Sequence, residues 1–316
     1  MATYRIGSAL TAGKERIILS CHGVFIDLGT LLTDDRTGWH SPADVDVPVS
    51  LMGMMEDWPY WRGLLPRVAD DVAGARHAGT MAWRVDSSEM RWLPPLMYPR
   101  KLICIGVNYH DHIAEMGGAR PPSRPYSFLK PPTTTLVGSG ATVRLPPQAR
   151  MVDWEGELAV VIGQRARDVS ERDALSVVAG YGIVNDLSAR DWLAEPSFVG
   201  IDWVQQKAFD GFTPMGPLMT PAEFVADPQA LRITTTVNEE VKQESTTAQM
   251  VFSVREIIAH LASIMTLEPG DVIATGTPAG VGYSKEPREF LRSGDRVVVE
   301  IEGLGRLETT MASRIA

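Results

Sequence analysis

Hydrophobic and polar residues alternate along several stretches of the chain, and this pattern predicts β-strands in much of it. Before residue 30, strands are predicted over residues 4–10, 16–21 and 24–28, with short turns between them. From Ser50 to Val68 the apolar residues instead recur at the three- and four-residue spacing of a helix. The N-terminal part of the chain is therefore predicted to combine a small sheet with an amphipathic helix.

Strands dominate the prediction again after residue 100. The expected elements are a buried strand over 101–107, two short strands within 126–145, a strand–helix–strand run over 151–184 with Ser170 as the helix N-cap, a hairpin over 231–247, a helix over 254–265 capped by Ser253, and a closing hairpin over 292–312. The helices are too few to alternate with the strands in a doubly wound sheet. The pattern therefore indicates a β-rich α+β fold.

Three prolines, Pro94, Pro95 and Pro99, predict an extended linker between two parts of the chain. We place a domain boundary there, with a small N-terminal α+β domain over residues 1–95 and a larger domain over residues 100–316. The length of 316 residues suits one large domain with one small one. We expect the N-terminal domain to pack against the larger one, to form dimer contacts or to shape a pocket.

Composition narrows the classes of function. With 44% hydrophobic and 22% charged residues the chain has an ordinary globular profile, and its net charge of -9 argues against a nucleic-acid partner, which requires a basic face. Cys21 and Cys104 each lie in an apolar run, which predicts buried free thiols in a reducing compartment. There is no signal-peptide layout and no apolar run long enough to span a bilayer. We expect a cytoplasmic protein that binds neither nucleic acid nor membrane.

Residues 151–192 hold the first candidate chemistry. Glu155 and Glu157 are two residues apart, so on a strand both carboxylates would face one side and repel each other unless a cation lay between them. Asp186 ends a second apolar run, and we hypothesise that these three carboxylates form an all-oxygen site for a hard divalent cation. Asp153 is a further candidate, as a fourth ligand or as an acceptor behind the ligands. The alternative is an exposed carboxylate pair on an edge strand, with Asp186 in a turn.

The type of donor atom selects the cation. Carboxylate oxygens are the ligands that Mg²⁺ prefers, and Mg²⁺ keeps water molecules that a bidentate substrate can displace. No histidine or cysteine accompanies the three carboxylates in the sequence, which argues against zinc.

His112 and Glu115 form a second candidate, because residues three apart on a helix lie on one face. A carboxylate beside an imidazole fixes the tautomer and raises the basicity of the ring, which a water-activating base requires. The alternative is a surface helix with an incidental pair. His110 would point to another side of the helix.

Three cations and one loop complete the set of candidates. Lys130, Arg190 and Lys207 lie in apolar or Gly/Pro-rich stretches, where each could pair with a carboxylate, bind an anionic substrate or remain solvated. The loop 275–282 contains three glycines and could present backbone N–H groups to an oxyanion.

Taken together, six segments of the chain resemble the fumarylacetoacetate hydrolase family. They are GVNYHDHIAE (106–115), the stretch from FLKPP to GSG (128–140), DWEGELAVVIG (153–163), GYGIVNDLSARDW (180–192), KAFDGFTPMGP (207–217) and TLEPGDVIATGTPAGVG (266–282). They occur in the order of the family, and six ordered motifs are far more specific than any one of them. The chain looks closer to the smaller acylpyruvase-like members, because a segment that carries an additional aspartate in fumarylacetoacetate hydrolase itself is missing.

The resemblance implies a fold, a cofactor and a set of roles. The larger domain would be a mixed β-sandwich roll that forms a homodimer, with Mg²⁺ or Mn²⁺ as the cofactor and Ca²⁺ as a replacement in crystals. By position, the resemblance makes Glu155, Glu157 and Asp186 the metal ligands, His112 and Glu115 the water-activating pair on a short lid helix, Lys207 the catalytic lysine, and Arg190, Thr277, Tyr109 and Lys130 the substrate contacts.

The activity that the resemblance implies is metal-dependent hydrolysis of a C–C bond in a β-diketone, an acylpyruvate-type 2-oxo acid, in the catabolism of aromatic or related compounds. Other reactions share the same metal–enolate chemistry: 2-oxo acid decarboxylation, isomerisation or tautomerisation, and hydration of a dienoate. A non-catalytic binding homologue is a further alternative, against which the His112–Glu115 pair argues. Leu193 stands where acylpyruvase-like members often carry glutamine, and it indicates a more apolar pocket.

Overall fold

The strands of the chain form three main β-sheets in the computed structural model, which describes residues 2–34, 47–74, 81–118, 120–193, 198 and 200–313. Two of these sheets have five strands and one has six. The six-stranded sheet matters most for function, because most of the candidate residues lie on it or directly after its strands.

The first sheet contains only N-terminal strands. These are β1 (Tyr4–Thr11), β2 (Lys14–Cys21), β3 (Val24–Asp27), β4 (Arg84–Val85) and β5 (Met90–Trp92). They are antiparallel, in the order β4-β3-β2-β1-β5. The three strands predicted before residue 30 are confirmed.

Three helices accompany this sheet: α1 (Leu28–Thr33), α2 (Leu51–Met55) and α3 (Trp58–Gly74). The helix predicted from Ser50 begins as expected, with Ser50 Oγ accepting a hydrogen bond from Gly53 N at 3.1 Å. It is interrupted at residues 56–57, so two helices replace the single predicted one. The predicted apolar face is buried in both helices from Leu51 to Val68, except that Leu64 is half-buried.

The second sheet is central and mixed. In spatial order it contains β15 (Thr220–Pro221), β12 (Val178–Asn185), β11 (Gly156–Ile162), β18 (Val272–Ala274), β6 (Leu102–Gly106) and β7 (Tyr126–Leu129). β18 and β6 run parallel, and the other neighbours are antiparallel. β11 and β12 are buried along their whole length, which explains why their sequences are apolar without alternation. Helix α4 (His110–Glu115) follows β6, and α5 (Trp203–Lys207) precedes β15 in the chain.

The third sheet carries the two predicted hairpins. Its strands, in spatial order, are β17 (Glu240–Thr246), β16 (Arg232–Val237), β19 (Arg296–Ile301), β20 (Gly305–Ser313) and β9 (Ala141–Leu145). Two small ladders pair β8 (Leu136–Val137) with β14 (Thr213–Pro214) and β10 (Val152–Asp153) with β13 (Ser188–Ala189). Helix α6 (Val254–Ile264) is also confirmed, and Ser253 and Glu256 form a reciprocal capping box at its start.

The helix predicted after Ser170 is wrong. Residues 171–173 form turns, and a short 3₁₀ helix over Ala174–Val177 leads into β12. The predicted cap is present, since Ser170 Oγ accepts a hydrogen bond from Asp173 N at 3.3 Å. However, Val178 must already pair with Ile162 of β11, which leaves no room for a longer helix.

One hydrophobic core joins the first sheet and its helices to the central sheet. Leu19 and Trp58 from the first part of the chain pack in the same cluster as Val161 and Val272. β1 also bridges to the C-terminal part: Ile6 N donates to Met219 O at 2.9 Å, and Met219 N donates to Ile6 O at 2.7 Å. The domain boundary near residue 95 stays a prediction.

Two simpler expectations concern cysteines and membranes. Cys21 and Cys104 are buried and free, as predicted. In the described ranges of the chain, no helix is both long enough and apolar enough to cross a bilayer.

Candidate metal and acid–base site

The three predicted carboxylates meet at one end of β11 and β12. Glu157 lies in β11, Glu155 directly precedes that strand, and Asp186 directly follows β12. The antiparallel pairing of Gly156 with Asn185 brings these ends together. One oxygen from each carboxylate lies within 4.8 Å of the others, and all three residues are buried. The alternative of an exposed pair on an edge strand is therefore wrong.

The spacing of Glu155 and Glu157 predicts that both lie on one strand, but only Glu157 does. Glu155 lies in the break between β10 and β11. Its N–H donates to Asn185 Oδ1 at 2.9 Å, and its carbonyl accepts from Asp186 N at 2.8 Å. These two hydrogen bonds, rather than the two-residue repeat of a strand, hold Glu155 beside Asp186.

Two buried lysines neutralise the carboxylates. Lys207 Nζ lies 2.6 Å from Glu155 Oε2 and 2.7 Å from Asp186 Oδ2. Lys130 Nζ lies 2.5 Å from Asp186 Oδ1 and donates to Phe212 O at 2.8 Å. Both lysines are at most 3% exposed, so the alternative of solvated surface cations is wrong for them.

Arg190 is buried between two carboxylates. It donates to Asp153 Oδ2 at 3.0 Å and to Glu155 Oε1 at 2.5 Å. Asp153 also accepts hydrogen bonds from Gly282 N at 2.7 Å and Tyr283 N at 3.0 Å. Asp153 therefore lies behind the cluster as an acceptor that orients Arg190. The substrate contact expected of Arg190 stays a prediction.

Burial sets the electrostatics of this cluster. Burial disfavours the ionised form of Glu155, yet the positive charges of Lys207 and Arg190 outweigh it and lower the pKa of Glu155 to about 2. For Glu157, burial and the negative charges of Asp186 and Glu155 act together and raise its pKa well above its usual range. A divalent cation would remove this repulsion.

The donor set fits a hard divalent cation. With Asp153, the carboxylates outnumber the neighbouring lysines and arginine by four to three, so one negative charge remains when all are ionised. Glu157 accepts one hydrogen bond, from Gly276 N at 2.7 Å, and its other oxygen has no hydrogen-bond partner within the described part of the chain. Oxygen donors without nitrogen or sulfur favour Mg²⁺ or Mn²⁺ over zinc.

Helix α4 supplies the predicted acid–base pair. His112 Nδ1 lies 2.5 Å from Glu115 Oε1, and Glu115 Oε2 accepts from Gly280 N at 2.8 Å. With Nδ1 donating to the carboxylate, Nε2 of His112 is left as the proton acceptor. His110 is exposed, as expected. The structure therefore contains the geometry of a carboxylate-oriented imidazole.

The glycine loop 275–282 binds the protein's own carboxylates. Its N–H groups were expected to face an oxyanion of the substrate, but four of them donate to carboxylates of the protein. These are Gly276 to Glu157, Ala279 to Asp111, Gly280 to Glu115 and Gly282 to Asp153. The loop therefore joins the carboxylate cluster to α4.

Asp111 is a contact that sequence reasoning missed. Its Oδ2 accepts from Ser245 Oγ and its Oδ1 accepts from Ala279 N at 3.3 Å. Together with Glu115, it fixes α4 to the glycine loop and to β17. No local pattern reveals this role, because the partners lie far away in the sequence.

Thr277 and Tyr109 were expected to contact substrate, and both are engaged or enclosed by protein. Thr277 Oγ1 donates to Gly156 O at 3.0 Å and accepts from Gln243 Nε2 at 2.8 Å. Tyr109 is fully buried, its hydroxyl has no hydrogen-bond partner in the described residues, and burial raises its pKa. Their substrate roles stay predictions. Gln243 was not recognised in the sequence.

An aromatic pair borders Lys207. The rings of Phe128 and Trp203 stack with centroids 4.5 Å apart, and Lys207 Nζ lies 5.6 Å from the centroid of Phe128. The sequence did not indicate this pair, since the two aromatics come from separate elements, β7 and α5.

Comparison with known proteins covers all of these site residues. The family model of the fumarylacetoacetate (FAA) hydrolase C-terminal domain matches residues 101–312. The chain is 45% identical over 218 residues to human oxaloacetate tautomerase FAHD2B, mitochondrial, which is 69% of this chain and 68% of that protein. It is 42% identical over 221 residues to rat oxaloacetate tautomerase Fahd2a, mitochondrial, 70% of this chain and 69% of the relative. Because both relatives are named as mitochondrial, they do not support the cytoplasmic location expected from the sequence, which stays a prediction.

Solved structures share the fold over nearly the whole chain. The fumarylacetoacetate hydrolase EaFAH from Exiguobacterium antarcticum is 31% identical, with a TM-score of 0.77 over 99% of this chain and 100% of that one. The maleylpyruvate hydrolase from Sphingobium sp. SYK-6, in complex with manganese (II) ion and pyruvate, is 28% identical, with a TM-score of 0.74 over 98% of this chain and 100% of that one. The predicted strand-rich α+β fold class is confirmed. Because the family model matches well over half of its residues, the chain belongs to the fumarylacetoacetate hydrolase family.

Proposed function

We propose that the chain is a divalent-cation-dependent enzyme for enolisable 2-oxo acids, and that its reaction is the keto–enol tautomerisation of oxaloacetate. The observation that carries the proposal is the buried cluster of Glu155, Glu157 and Asp186, with oxygens within 4.8 Å of one another. The relatives of 42–45% identity that are named oxaloacetate tautomerases support this reaction. A homodimer and Mg²⁺ or Mn²⁺ as the cation are parts of the same proposal.

The cluster would provide the ligands of the cation, and its net charge would determine which substrate charge the site favours. Glu155, Glu157 and Asp186 would hold the cation. When bound, the cation supplies a Lewis acid that favours the enolate of a 2-oxo acid. A divalent cation also changes the single net negative charge of the cluster to a single positive one, and this favours an anionic substrate. The manganese and pyruvate of the maleylpyruvate hydrolase structure support both assignments.

His112 and Glu115 would move the proton. Neutral Nε2 of His112 takes the proton of the enol oxygen, and the imidazolium that forms is stabilised by the carboxylate of Glu115 at 2.5 Å. The same Nε2 then returns the proton to C3, which yields the keto form and leaves His112 unchanged. Glu115 acts by orienting the ring and balancing its charge.

Lys207 would keep positive charge beside the developing enolate. Burial disfavours its ammonium form, but the carboxylates of Asp186 and Glu155 raise the pKa of Lys207 above its usual range. Lys207 therefore remains charged at neutral pH. Its two short ion pairs also fix the orientation of both carboxylates.

Hydrolysis of an acylpyruvate is the second candidate, and the His112–Glu115 pair is the observation that favours it. In that reaction His112 takes a proton from water, whose oxygen adds to the distal carbonyl carbon. The adjacent C–C bond then breaks, giving a carboxylic acid and the enolate of a 2-oxo acid, which is protonated. The same residues thus serve both reactions, and the substrate distinguishes them.

An absorbance assay separates the two candidates. The enol absorbance of oxaloacetate and that of a panel of acylpyruvates are followed with Mg²⁺ or Mn²⁺ and purified protein. We expect kcat/KM for enol-oxaloacetate to exceed that for any acylpyruvate by about tenfold or more. Faster cleavage of an acylpyruvate would establish the hydrolase instead, and no activity on either substrate would refute both candidates.

A further inference from the structure

One buried side chain next to Lys207 has no hydrogen-bond partner among the residues that the structure describes. Gln206 is 0% exposed, and within the described ranges neither Oε1 nor Nε2 of its amide has a partner. Buried polar groups in folded proteins are almost always paired, so an unpaired amide at this position requires an explanation. A ligand that enters the site would supply the missing partner.

Helix α5 places Gln206 on the same face as Lys207. Val204 and Gln205 are exposed, whereas Gln206 and Lys207 are buried and Trp203 is half-buried. Residues three and four apart share a helix face, so the inward face consists of Trp203, Gln206 and Lys207. Gln206 therefore belongs to the same buried face of α5 as Lys207.

The surroundings of this face contain two buried cations and an aromatic pair. Lys207 reaches Glu155 and Asp186 from it, and α5 packs against the 3₁₀ turn Arg190–Leu193, which contains a buried arginine. Trp203, on the same face, stacks on Phe128. With a divalent cation the cluster carries net positive charge, so an amide N–H beside it would meet an anionic oxygen.

We infer that Gln206 determines specificity by donating a hydrogen bond from Nε2 to a second carboxylate of the substrate, and that the site therefore prefers dicarboxylic 2-oxo acids. This inference rests on the proposed function, because it takes the 2-oxo acid end to be held at the carboxylate cluster. A monocarboxylic 2-oxo acid such as pyruvate has no group for Gln206 to bind.

An equilibrium measurement tests the assignment independently of catalysis. Dissociation constants are measured by calorimetry with Mn²⁺ present for two ligands, pyruvate and 3,3-difluorooxaloacetate, which carries the second carboxylate and cannot enolise. The proteins compared are wild type, Gln206→Leu and Gln205→Leu, an exposed neighbour on the same helix. For Gln206→Leu we expect about tenfold weaker binding of the dicarboxylate and less than about twofold change for pyruvate. Gln205→Leu should match wild type for both ligands.

Two further variants guard against a merely structural effect. Gln206→Glu keeps the size of the side chain but repels the second carboxylate, so it should weaken the dicarboxylate more than Gln206→Leu does. Gln206→Asn keeps the amide and should recover part of the affinity. Equal weakening of both ligands, or a wild type without preference for the dicarboxylate, would overturn the assignment.

Kinetics separates this inference from the proposed function. If the dicarboxylate preference depends on Gln206 but wild type does not tautomerise oxaloacetate, the reaction is wrong and the specificity residue stands. If wild type is an oxaloacetate tautomerase and Gln206→Leu leaves KM unchanged, the specificity residue is wrong and the reaction stands.

Discussion

The two halves of the site are held in place in different ways. The metal half consists of buried opposite charges that pair directly, such as Lys207 with Glu155 at 2.6 Å and Lys130 with Asp186 at 2.5 Å. The proton-transfer half is one short helix, α4, fixed by hydrogen bonds from the glycine loop and from Ser245. The side chains of its His112–Glu115 pair are 10% and 18% exposed, against 9% or less for the ion pairs of the metal half.

This difference separates side chains whose loss would affect folding from side chains whose loss would affect only the reaction rate. Removing one member of a buried charge cluster leaves its partners unpaired in a poorly solvated place, which affects folding and metal binding together. Removing His112 takes away a proton carrier and leaves the charge cluster intact. Substitutions in the two halves should therefore have distinguishable results.

The largest effect is expected from Glu155→Ala. The change removes a metal ligand and leaves Lys207 and Arg190 each without one carboxylate partner, at a cost of about 3–5 kcal/mol in the free energy of unfolding. Mn²⁺ affinity should fall more than about 100-fold. Calorimetric Mn²⁺ titration and thermal unfolding measure the two effects, with the exposed Glu244→Ala as control. Unchanged Mn²⁺ affinity would show that Glu155 is not a ligand.

His112→Ala should lower the rate with little effect on metal binding. Loss of the proton carrier is expected to reduce kcat by about 10²–10⁴-fold. Mn²⁺ affinity and the melting temperature should stay close to wild type, because His112 lies outside the charge cluster. His110→Ala, on an exposed position of the same helix, is the matched control and should keep full activity. Equal losses in both variants would contradict the assignment of the base.

Gly156→Ala should disturb the metal half without removing a charge. A Cβ at this position would overlap Thr235 Oγ1 and lie 2.9 Å from a methyl of Val299, so the segment between Glu155 and Glu157 must shift. Overpacking of this kind costs about 1–3 kcal/mol. Thermal unfolding and Mn²⁺ titration should show both lower stability and weaker binding. Gly63→Ala has open space around the new methyl group and should show neither change.

The smallest effect is expected from Ser245→Ala. It removes the hydrogen bond that Ser245 Oγ donates to Asp111 Oδ2 in α4, and such a bond contributes about 0.5–1.5 kcal/mol. We expect kcat to fall by about twofold to tenfold, with Mn²⁺ affinity unchanged. Ser263→Ala, at an exposed serine of α6, controls for loss of a hydroxyl. A change in Mn²⁺ affinity would mean that the two halves are coupled more tightly than their contacts indicate.

Much of the fold could be predicted because its signals are local. The hairpin through residues 238–239 and the helix capped by Ser253 follow from turn and capping residues within a few positions of each other. The failed helix after Ser170 depended on a distant constraint, the pairing of Val178 with Ile162. The break between α2 and α3 has a local cause that apolar spacing alone did not indicate, because Pro59 has no backbone N–H with which to continue α2.

The site was predicted as a set of residues but not as a network. The motifs identified Glu155, His112 and Lys207, yet they carried no information on which atoms these side chains meet. The contacts of Asp111 with Ser245, and of Gly280 with Glu115, join parts of the chain that only the folded sheets bring together. The unpaired amide of Gln206 is visible only once burial is known.

The central claim is that a divalent cation held by Glu155, Glu157 and Asp186 is required for turnover of a 2-oxo acid. The most direct measurement follows the loss of enol-oxaloacetate absorbance by chelator-treated protein before and after Mn²⁺ is added, for wild type and Glu157→Gln. We expect activity to be lost on chelation and restored by Mn²⁺ in wild type but not in the variant. Full activity in chelator, or equal restoration in the variant, would contradict the claim.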